Sequence, residues 1–117
     1  MSEFLEACLL ADVAPRSAKR VLIAGRPIAV VNTDEGLFAI DDRCSHADVS
    51  LAEGEVDGCA IECWLHGSAF DLRTGAPLSP PAMMSVPIYA VRVVGDGDAA
   101  VVQIDPTPIS TPNRGTQ

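Results

Sequence analysis

The sequence predicts a small all-β domain built as an antiparallel sandwich or barrel. The chain has 117 residues, which suits one domain with a real core. Hydrophobic residues make up 48% of it but aromatic residues only 4%, so the core consists mainly of Val, Ile, Ala and Leu. The β-branched members of this set favour strands, and no segment keeps the 3.6-residue apolar period of an amphipathic helix. We therefore expect little helix.

Short apolar runs, separated by turn signals, mark the predicted strands in order along the chain. The runs cover residues 4–10, 19–23, 27–31, 37–40, 59–62, 88–94 and 99–104. Turn-forming residues, chiefly glycine, aspartate and asparagine, lie between them at 24–26, 32–36, 57–58, 73–75 and 95–98. These segments predict hairpin or loop connections. A segment such as 17–20 is compatible with a single helical turn.

The folded domain is expected to span residues 1–104, with a flexible tail after it. The tail, residues 105–117, reads DPTPISTPNRGTQ. It contains three prolines and few residues that a core would bury, so nothing in it favours a packed element.

The charge balance argues against nucleic acid and membrane partners. Eight basic and 16 acidic residues give a net charge of −8, which repels phosphate backbones and anionic lipids and attracts basic protein surfaces. Glu3 and Glu6 stand where a secretory leader would carry positive charge, and no apolar run approaches the length of a membrane span. We expect a cytoplasmic protein, whose cysteines are more often metal ligands, reactive thiols or buried hydrophobes than disulfide partners.

Two Cys/His pairs carry the chemistry of the sequence. Cys44-Ser-His46 and Cys63-Trp-Leu-His66 contain both histidines of the chain and are separated by residues 47–62. Thiolate and imidazole ligands suit zinc, copper and iron–sulfur clusters, so the set alone does not name the metal. A common zinc finger places its cysteines together and then its histidines, whereas this chain interleaves them. Two facing loops of this kind can bring both cysteines to one metal atom and both histidines to another, which suits a two-iron centre.

The two pairs resemble the C-x-H and C-x2-H boxes of Rieske [2Fe-2S] proteins. The segments around them, ADVSLAEGEV (47–56), GSAFDLRTGAPL (67–78) and SVPIYAVRV (85–93), are similar to small Rieske ferredoxins of bacterial oxygenase systems. The resemblance covers roughly residues 3–104. It implies the Rieske ISP-like form of the β-sandwich or barrel, with a small cluster-binding subdomain of two ligand loops at about residues 42–82.

The resemblance also implies a site that holds one Rieske-type [2Fe-2S] cluster per chain. Cys44 and Cys63 would bind the inner iron, and His46 and His66 the outer iron nearer solvent. Other residues would contact or tune the cluster: the hydroxyl of Ser68, the backbone of Gly67, Trp64 as a shield against water, and Pro81, with Pro80, in a third loop that covers it.

Departures from other Rieske proteins set two further expectations. Membrane-complex members join their ligand loops by a disulfide, but Val49 and Leu65 occupy the equivalent positions, so that disulfide cannot form. High-potential members aim a serine and a tyrosine hydroxyl at the cluster sulfurs, whereas this chain has Ser68 but Phe70. We therefore expect a potential in the lower to middle part of the Rieske range. The remaining cysteines, Cys8 and Cys59, are expected to be thiols in buried strands.

By the same resemblance the chain would be a one-electron carrier and not itself an enzyme. Its partners would be a flavin-dependent ferredoxin reductase and a terminal non-haem iron oxygenase of a dioxygenase system. The negative charge of the chain predicts that both partners have basic docking surfaces. Two alternatives stay open: a Rieske-fold accessory subunit, like the small subunit of nitrite reductase, and a structural Cys2His2 zinc module. Two irons and two acid-labile sulfides per chain would distinguish the electron carrier from both.

Overall fold

The structure is a computed structural model that describes residues 4–43, 49–64, 68–78 and 85–109. In these ranges the strands are β1 (Leu5–Leu9), β2 (Ser17–Ile23), β3 (Arg26–Thr33), β4 (Gly36–Asp41), β5 (Glu55–Asp57), β6 (Ala60–Glu62), β7 (Ala69–Asp71), β8 (Ile88–Tyr89), β9 (Val91–Val94) and β10 (Val101–Ile104). The helical elements there are three 3-10 turns, Leu10–Asp12, Leu51–Glu53 and Gly97–Ala99. None of them is long enough or apolar enough to cross a membrane.

The strands form three antiparallel sheets. The central sheet has the order β2-β3-β4-β8, the distal sheet β1-β10-β9 and the small sheet β5-β6-β7. Two hydrophobic cores lie between them, because β3 and β4 bury side chains on both of their faces. The central sheet is therefore the middle layer of the described fold.

Strand β3 shows how the sequence builds these two cores. Ile28 and Val30 pack into the core shared with the distal sheet. Ala29 and Val31, which point the other way, pack into the core shared with the small sheet. All four side chains are fully buried, which explains why this strand is a continuous apolar run and does not alternate with polar residues.

The all-β prediction is confirmed, and the structure differs from the predicted strands at several points. The run at 88–94 divides at Ala90, because β8 pairs with β4 of the central sheet while β9 pairs with β10 of the distal sheet. Residues 17–20 begin strand β2 and do not form a helical turn. The three-residue strand β7 was not predicted, since its sequence Ala-Phe-Asp carries no β-branched residue and no alternation long enough to detect.

The first part of the predicted tail is attached to the sheets. The amide of Asp105 donates to the carbonyl of Ala90 at 3.1 Å, and that of Ile109 donates to the carbonyl of Ile88 at 2.8 Å. Ile109 thereby forms an isolated antiparallel bridge with Ile88. Residues 110–117 lie outside the described residues, and the division of the chain into a domain and a flexible tail stays a prediction.

Candidate metal centre

The second Cys/His pair belongs to a loop whose base is closed by two buried residues. Cys63 follows directly after β6 and Ser68 directly precedes β7. The amide of Cys63 donates a hydrogen bond to the carbonyl of Ser68 at 2.6 Å. Cys63 is 1% exposed and Ser68 fully buried, so the antiparallel pairing of β6 and β7 carries both into the protein interior.

The first Cys/His pair belongs to a loop that leaves the end of β4. Its base is an isolated antiparallel bridge between Arg43 and Ser50. The amide of Leu51 donates to the carbonyl of Asp42 at 2.8 Å, which joins the two sides of the loop one step further in. The predicted ligands Cys44 and His46 belong to residues 44–48, which follow Arg43 in sequence and lie outside the described residues.

A third loop leaves the small sheet after Leu78 and returns at Ser85. Its base is held by the amide of Leu78, which donates to the carbonyl of Ala69 at 2.7 Å, and by the amide of Val86, which donates to the carbonyl of Gly75 at 2.9 Å. Cys63 and Val86, at the bases of the second and third loops, and Leu51, next to the base of the first, are buried in the same core. The three loops therefore start from one shared hydrophobic foundation.

The structure describes three of the predicted site residues. Cys63 and Ser68 are buried, as a sulfur donor and an inward hydroxyl near a cluster would be. Trp64 is 52% exposed, which excludes ordinary core packing and leaves its shielding role a prediction. The other predicted site residues, Cys44, His46, His66, Gly67 and Pro81, lie outside the described residues, and their roles stay predictions.

The described surroundings fit a Rieske cluster on the cysteine side. Cys63 is a free thiol, not a disulfide partner, and it packs in an apolar core with Leu51 and Phe70. Such a position would keep a thiolate-bound iron away from water. Phe70 is fully buried in this core, and because it has no hydroxyl it supplies no hydrogen-bond donor at the position where other Rieske proteins carry a tyrosine.

The outward face of the small sheet is acidic. Glu55 of β5 and Glu62 of β6 are direct cross-strand partners, and Asp57 projects from the same face. A shallow cavity of about 350 Å³ is lined by these three carboxylates together with Ala60 and Ala69. No salt bridge in the described ranges involves any of the three acids. Since like charges directly opposite each other destabilise a sheet, this face is costly for the fold.

A polar contact joins the small sheet to the hairpin between β3 and β4. Arg73 donates from Nη2 to Oε1 of Glu35 at 2.6 Å, and this bond lowers the pKa of Glu35. The thiol of Cys59 forms a hydrogen bond with the same carboxylate. Burial, and next this bond to Glu35, raise the pKa of Cys59. Cys59 is half-buried in the two-residue turn between β5 and β6, so its prediction as a thiol in a buried strand is wrong. The alternation of its neighbours did not reveal that the strand begins at Ala60.

Cys8 lies in β1, where it is half-buried. Burial raises the pKa of its thiol, with a smaller opposing effect from Lys19. It faces the core shared by the distal and central sheets. It has no part in the loops described above.

Asp41, at the end of β4, is a partly buried carboxyl beside the first ligand loop. Burial raises its pKa, although the hydroxyl of Tyr89 donates to Oδ1 at 3.2 Å and favours the charged form. Nη1 of Arg26 donates to the same hydroxyl at 3.5 Å. Burial also raises the pKa of Tyr89, so its hydroxyl remains a donor at neutral pH.

Comparison with known proteins finds similarity to ferredoxin subunits of dioxygenases. The chain is 38% identical over 93 residues to the biphenyl dioxygenase ferredoxin subunit of Pseudomonas sp. (strain KKS102), covering 79% of this chain and 85% of the relative. It is 44% identical over 80 residues to the anthranilate 1,2-dioxygenase ferredoxin subunit of Burkholderia cepacia, covering 68% and 73% respectively. It also superposes with a TM-score of 0.80 and 33% identity on a chain from the complex of reduced oxygenase and oxidized ferredoxin in carbazole 1,9a-dioxygenase, covering 92% of this chain and 96% of that chain.

A more distant likeness bears on the accessory-subunit alternative. A Mycobacterium tuberculosis protein, named as the small subunit of an NADH-dependent nitrite reductase, superposes with a TM-score of 0.80 at 22% identity, over 93% of this chain and 99% of that one. Identity this low shows a shared fold and nothing about shared function. The ferredoxin relatives are closer in sequence, and this chain retains all four Cys and His residues of the two boxes. The Rieske [2Fe-2S] domain family matches residues 3–90, three quarters of the chain, and the protein belongs to that family.

Proposed function

We propose that this protein is the ferredoxin component of a ring-hydroxylating dioxygenase system. It accepts one electron from a flavin-dependent reductase and delivers it to a non-haem iron oxygenase. The relatives named as ferredoxin subunits support this role, as does the superposition on a chain from an oxygenase–ferredoxin complex. The chain carries a Rieske-type [2Fe-2S] cluster and is an electron-transfer component, not a catalytic enzyme.

The cluster ligands are Cys44 and Cys63 on one iron and His46 and His66 on the other. The observation that carries this assignment is the closed base at Cys63 and Ser68, because it holds one predicted sulfur donor in the apolar core. The family pattern and the pinned base of the first loop support the same arrangement for Cys44 and His46. Sulfur donors then lie inward and nitrogen donors toward the surface.

Mixed ligation favours a carrier that accepts electrons readily. When bound, the cluster stores one electron, and two thiolates with two neutral imidazoles leave its oxidised form without net charge. Four thiolates would add two negative charges and make reduction harder. His46 and His66, as the ligands nearer solvent, would give the electron a short way out without a large motion of the chain.

The acidic face of the small sheet supports partners with basic docking surfaces. Glu55, Asp57 and Glu62 lie on the element that carries the second ligand loop, and Glu62 immediately precedes Cys63. Their mutual repulsion is a cost that docking of a cationic surface would relieve. We place the protein in the cytoplasm, where the thiols of Cys8 and Cys59 stay reduced.

The zinc-module alternative lacks a supporting observation. Its four ligands would converge on one metal atom, whereas membership of the [2Fe-2S] family accounts for the interleaved pairs without such convergence. The accessory-subunit alternative is supported by the shared fold alone.

A reconstituted electron-transfer chain tests the proposal. The cluster-loaded protein is mixed with NADH, the reductase and the oxygenase of a biphenyl dioxygenase system, and its visible spectrum is followed by stopped flow. We expect reduction by the reductase, reoxidation by the substrate-loaded oxygenase, and slower transfer as salt is added. A loaded, dithionite-reducible protein that exchanges electrons with neither partner, across several such systems, would contradict the ferredoxin role while leaving the cluster assignment intact.

A further inference from the structure

The carboxylate of Asp42 lies buried at the base of the first ligand loop and accepts hydrogen bonds from three sides. Its side chain is only 2% exposed. Oδ2 accepts from the hydroxyl of Ser50 at 2.7 Å and pairs with Nε of Arg20 at 3.0 Å. Oδ1 accepts from the amide of Ala52 at 2.9 Å. One side chain thus holds the residues that follow the loop and a strand of the central sheet.

The backbone of the same residue makes two more bonds. The amide of Asp42 donates to the carbonyl of Pro27 at 3.0 Å, which fixes it to β3. Its carbonyl accepts from the amide of Leu51 at 2.8 Å. Asp42 therefore binds the far side of the loop through its main chain and through its side chain, directly behind the bridge between Arg43 and Ser50.

This arrangement is better suited to fixing geometry than to adding stability. Burying a carboxylate is expensive, and well-packed apolar residues often replace a buried ion pair with no loss of stability. Three directed hydrogen bonds to one planar group instead define where each partner lies. Arg20, which keeps half of its side chain in solvent, binds the carboxylate from the solvent side, while Ser50 and Ala52 bind it from the protein interior.

We propose that Asp42 is a positioning residue for the metal centre, which sets the geometry at which Cys44 and His46 meet the cluster. This inference rests on the proposed ligand set. The two proposed ligands lie in sequence between Asp42 and Ser50, and the carboxylate of Asp42 holds the far side of this segment through Ser50 and Ala52, so loosening that contact would change how the two ligands approach iron. Asp42 acts through the loop and does not itself bind the metal.

The test compares two variants of this contact with a control elsewhere. Asp42→Asn removes the charge and turns one acceptor into a donor, and Ser50→Ala removes a single bond to it. Asn32→Ala, which loses the bond from Nδ2 to the carbonyl of Val13 at 3.0 Å, is the control for a general loss of stability. Each cluster-loaded protein is measured for melting temperature, for the EPR spectrum after dithionite reduction, and for the rate of cluster loss to a chelator.

We expect Asp42→Asn and Ser50→Ala to shift the EPR g-values and to release the cluster about tenfold faster or more, as loss of an outer support of a ligand does. Asn32→Ala, at a similar loss of melting temperature, should do neither. If Asp42→Asn does not fold, Ser50→Ala carries the same expectation. Spectra and release rates that match those of Asn32→Ala would overturn the inference. A wild-type protein with no Rieske signal would instead overturn the proposed ligand set, and this inference with it.

Discussion

The amide of Cys63 lies 2.6 Å from the carbonyl of Ser68, and this hydrogen bond closes a loop of four residues that contains His66. Both closing residues are buried, so the loop begins and ends at a base formed by the paired strands β6 and β7. The proposed ligand Cys63 is therefore part of the hydrophobic core, and changes to that core are expected to alter electron transfer as well as the stability of the fold.

Phe70 offers a direct test of the expected potential. Phe70→Tyr restores the hydroxyl that high-potential Rieske proteins aim at a cluster sulfur, and it should raise the midpoint potential by roughly several tens of millivolts, since ~59 mV corresponds to a tenfold change for a one-electron couple. Phe38→Tyr, at a half-buried aromatic of β4 against the same core, should leave the potential unchanged. Protein-film voltammetry measures both. A wild-type potential at the top of the Rieske range would contradict the expectation.

Gly75 is required at the base of the third loop. It has φ +80°, and a Cβ there would lie 2.0 Å from the carbonyl oxygen of Val86, a backbone atom. Gly75→Ala should cost roughly 2–5 kcal/mol, from left-handed strain plus overpacking. Gly58→Ala, at φ +60° with open space around it, carries the strain alone and should cost about 1–2 kcal/mol. If chemical denaturation shows that both variants lose the same free energy of unfolding, the predicted steric clash at Gly75 would be contradicted.

Asp41 makes stability depend on pH in a direction set by its raised pKa. Because burial raises the pKa of the folded carboxyl above its ordinary value of 3.8, the folded state binds the proton more tightly than the unfolded state. Its favourable contribution is complete below pH 3.8 and is lost as the pH rises through the folded pKa. Asp41→Asn should therefore melt higher than wild type at neutral pH and equally at low pH. Melting curves in which the difference between Asp41→Asn and wild type grows toward low pH would contradict this direction of the pH dependence.

Glu55 is expected to lower the stability of the fold and to favour docking of the oxygenase. Glu55→Gln removes the repulsion with Glu62, so it should raise the melting temperature at low salt. It should also slow electron transfer to the oxygenase at low salt, if a basic surface binds this face. Glu6→Gln, an equal charge change on an exposed position of the distal sheet, is the control. Stopped-flow rates that fall equally in both variants would assign the effect to net charge alone.

The sequence predicted the parts of this molecule that depend on local pattern. The all-β class followed from runs such as 27–31, which became the doubly buried strand β3, and the two Cys/His boxes identified the family. Asp42 was not singled out, because its importance arises only when the folded chain places Ser50 and Ala52 against it. It is one of 16 acidic residues and carries no motif. The attachment of Ile109 to Ile88 was missed for the same reason, since pairing between distant segments leaves no local signal.

The central claim is that Cys44, His46, Cys63 and His66 hold a two-iron cluster with both imidazoles on one iron. Pulsed EPR of the dithionite-reduced protein, with iron and acid-labile sulfide measured on the same sample, tests it most directly. We expect two irons and two sulfides per chain, together with hyperfine coupling to two histidine nitrogens that is lost in His66→Ala. A colourless protein with one zinc, or a reduced cluster without nitrogen coupling, would contradict the assignment.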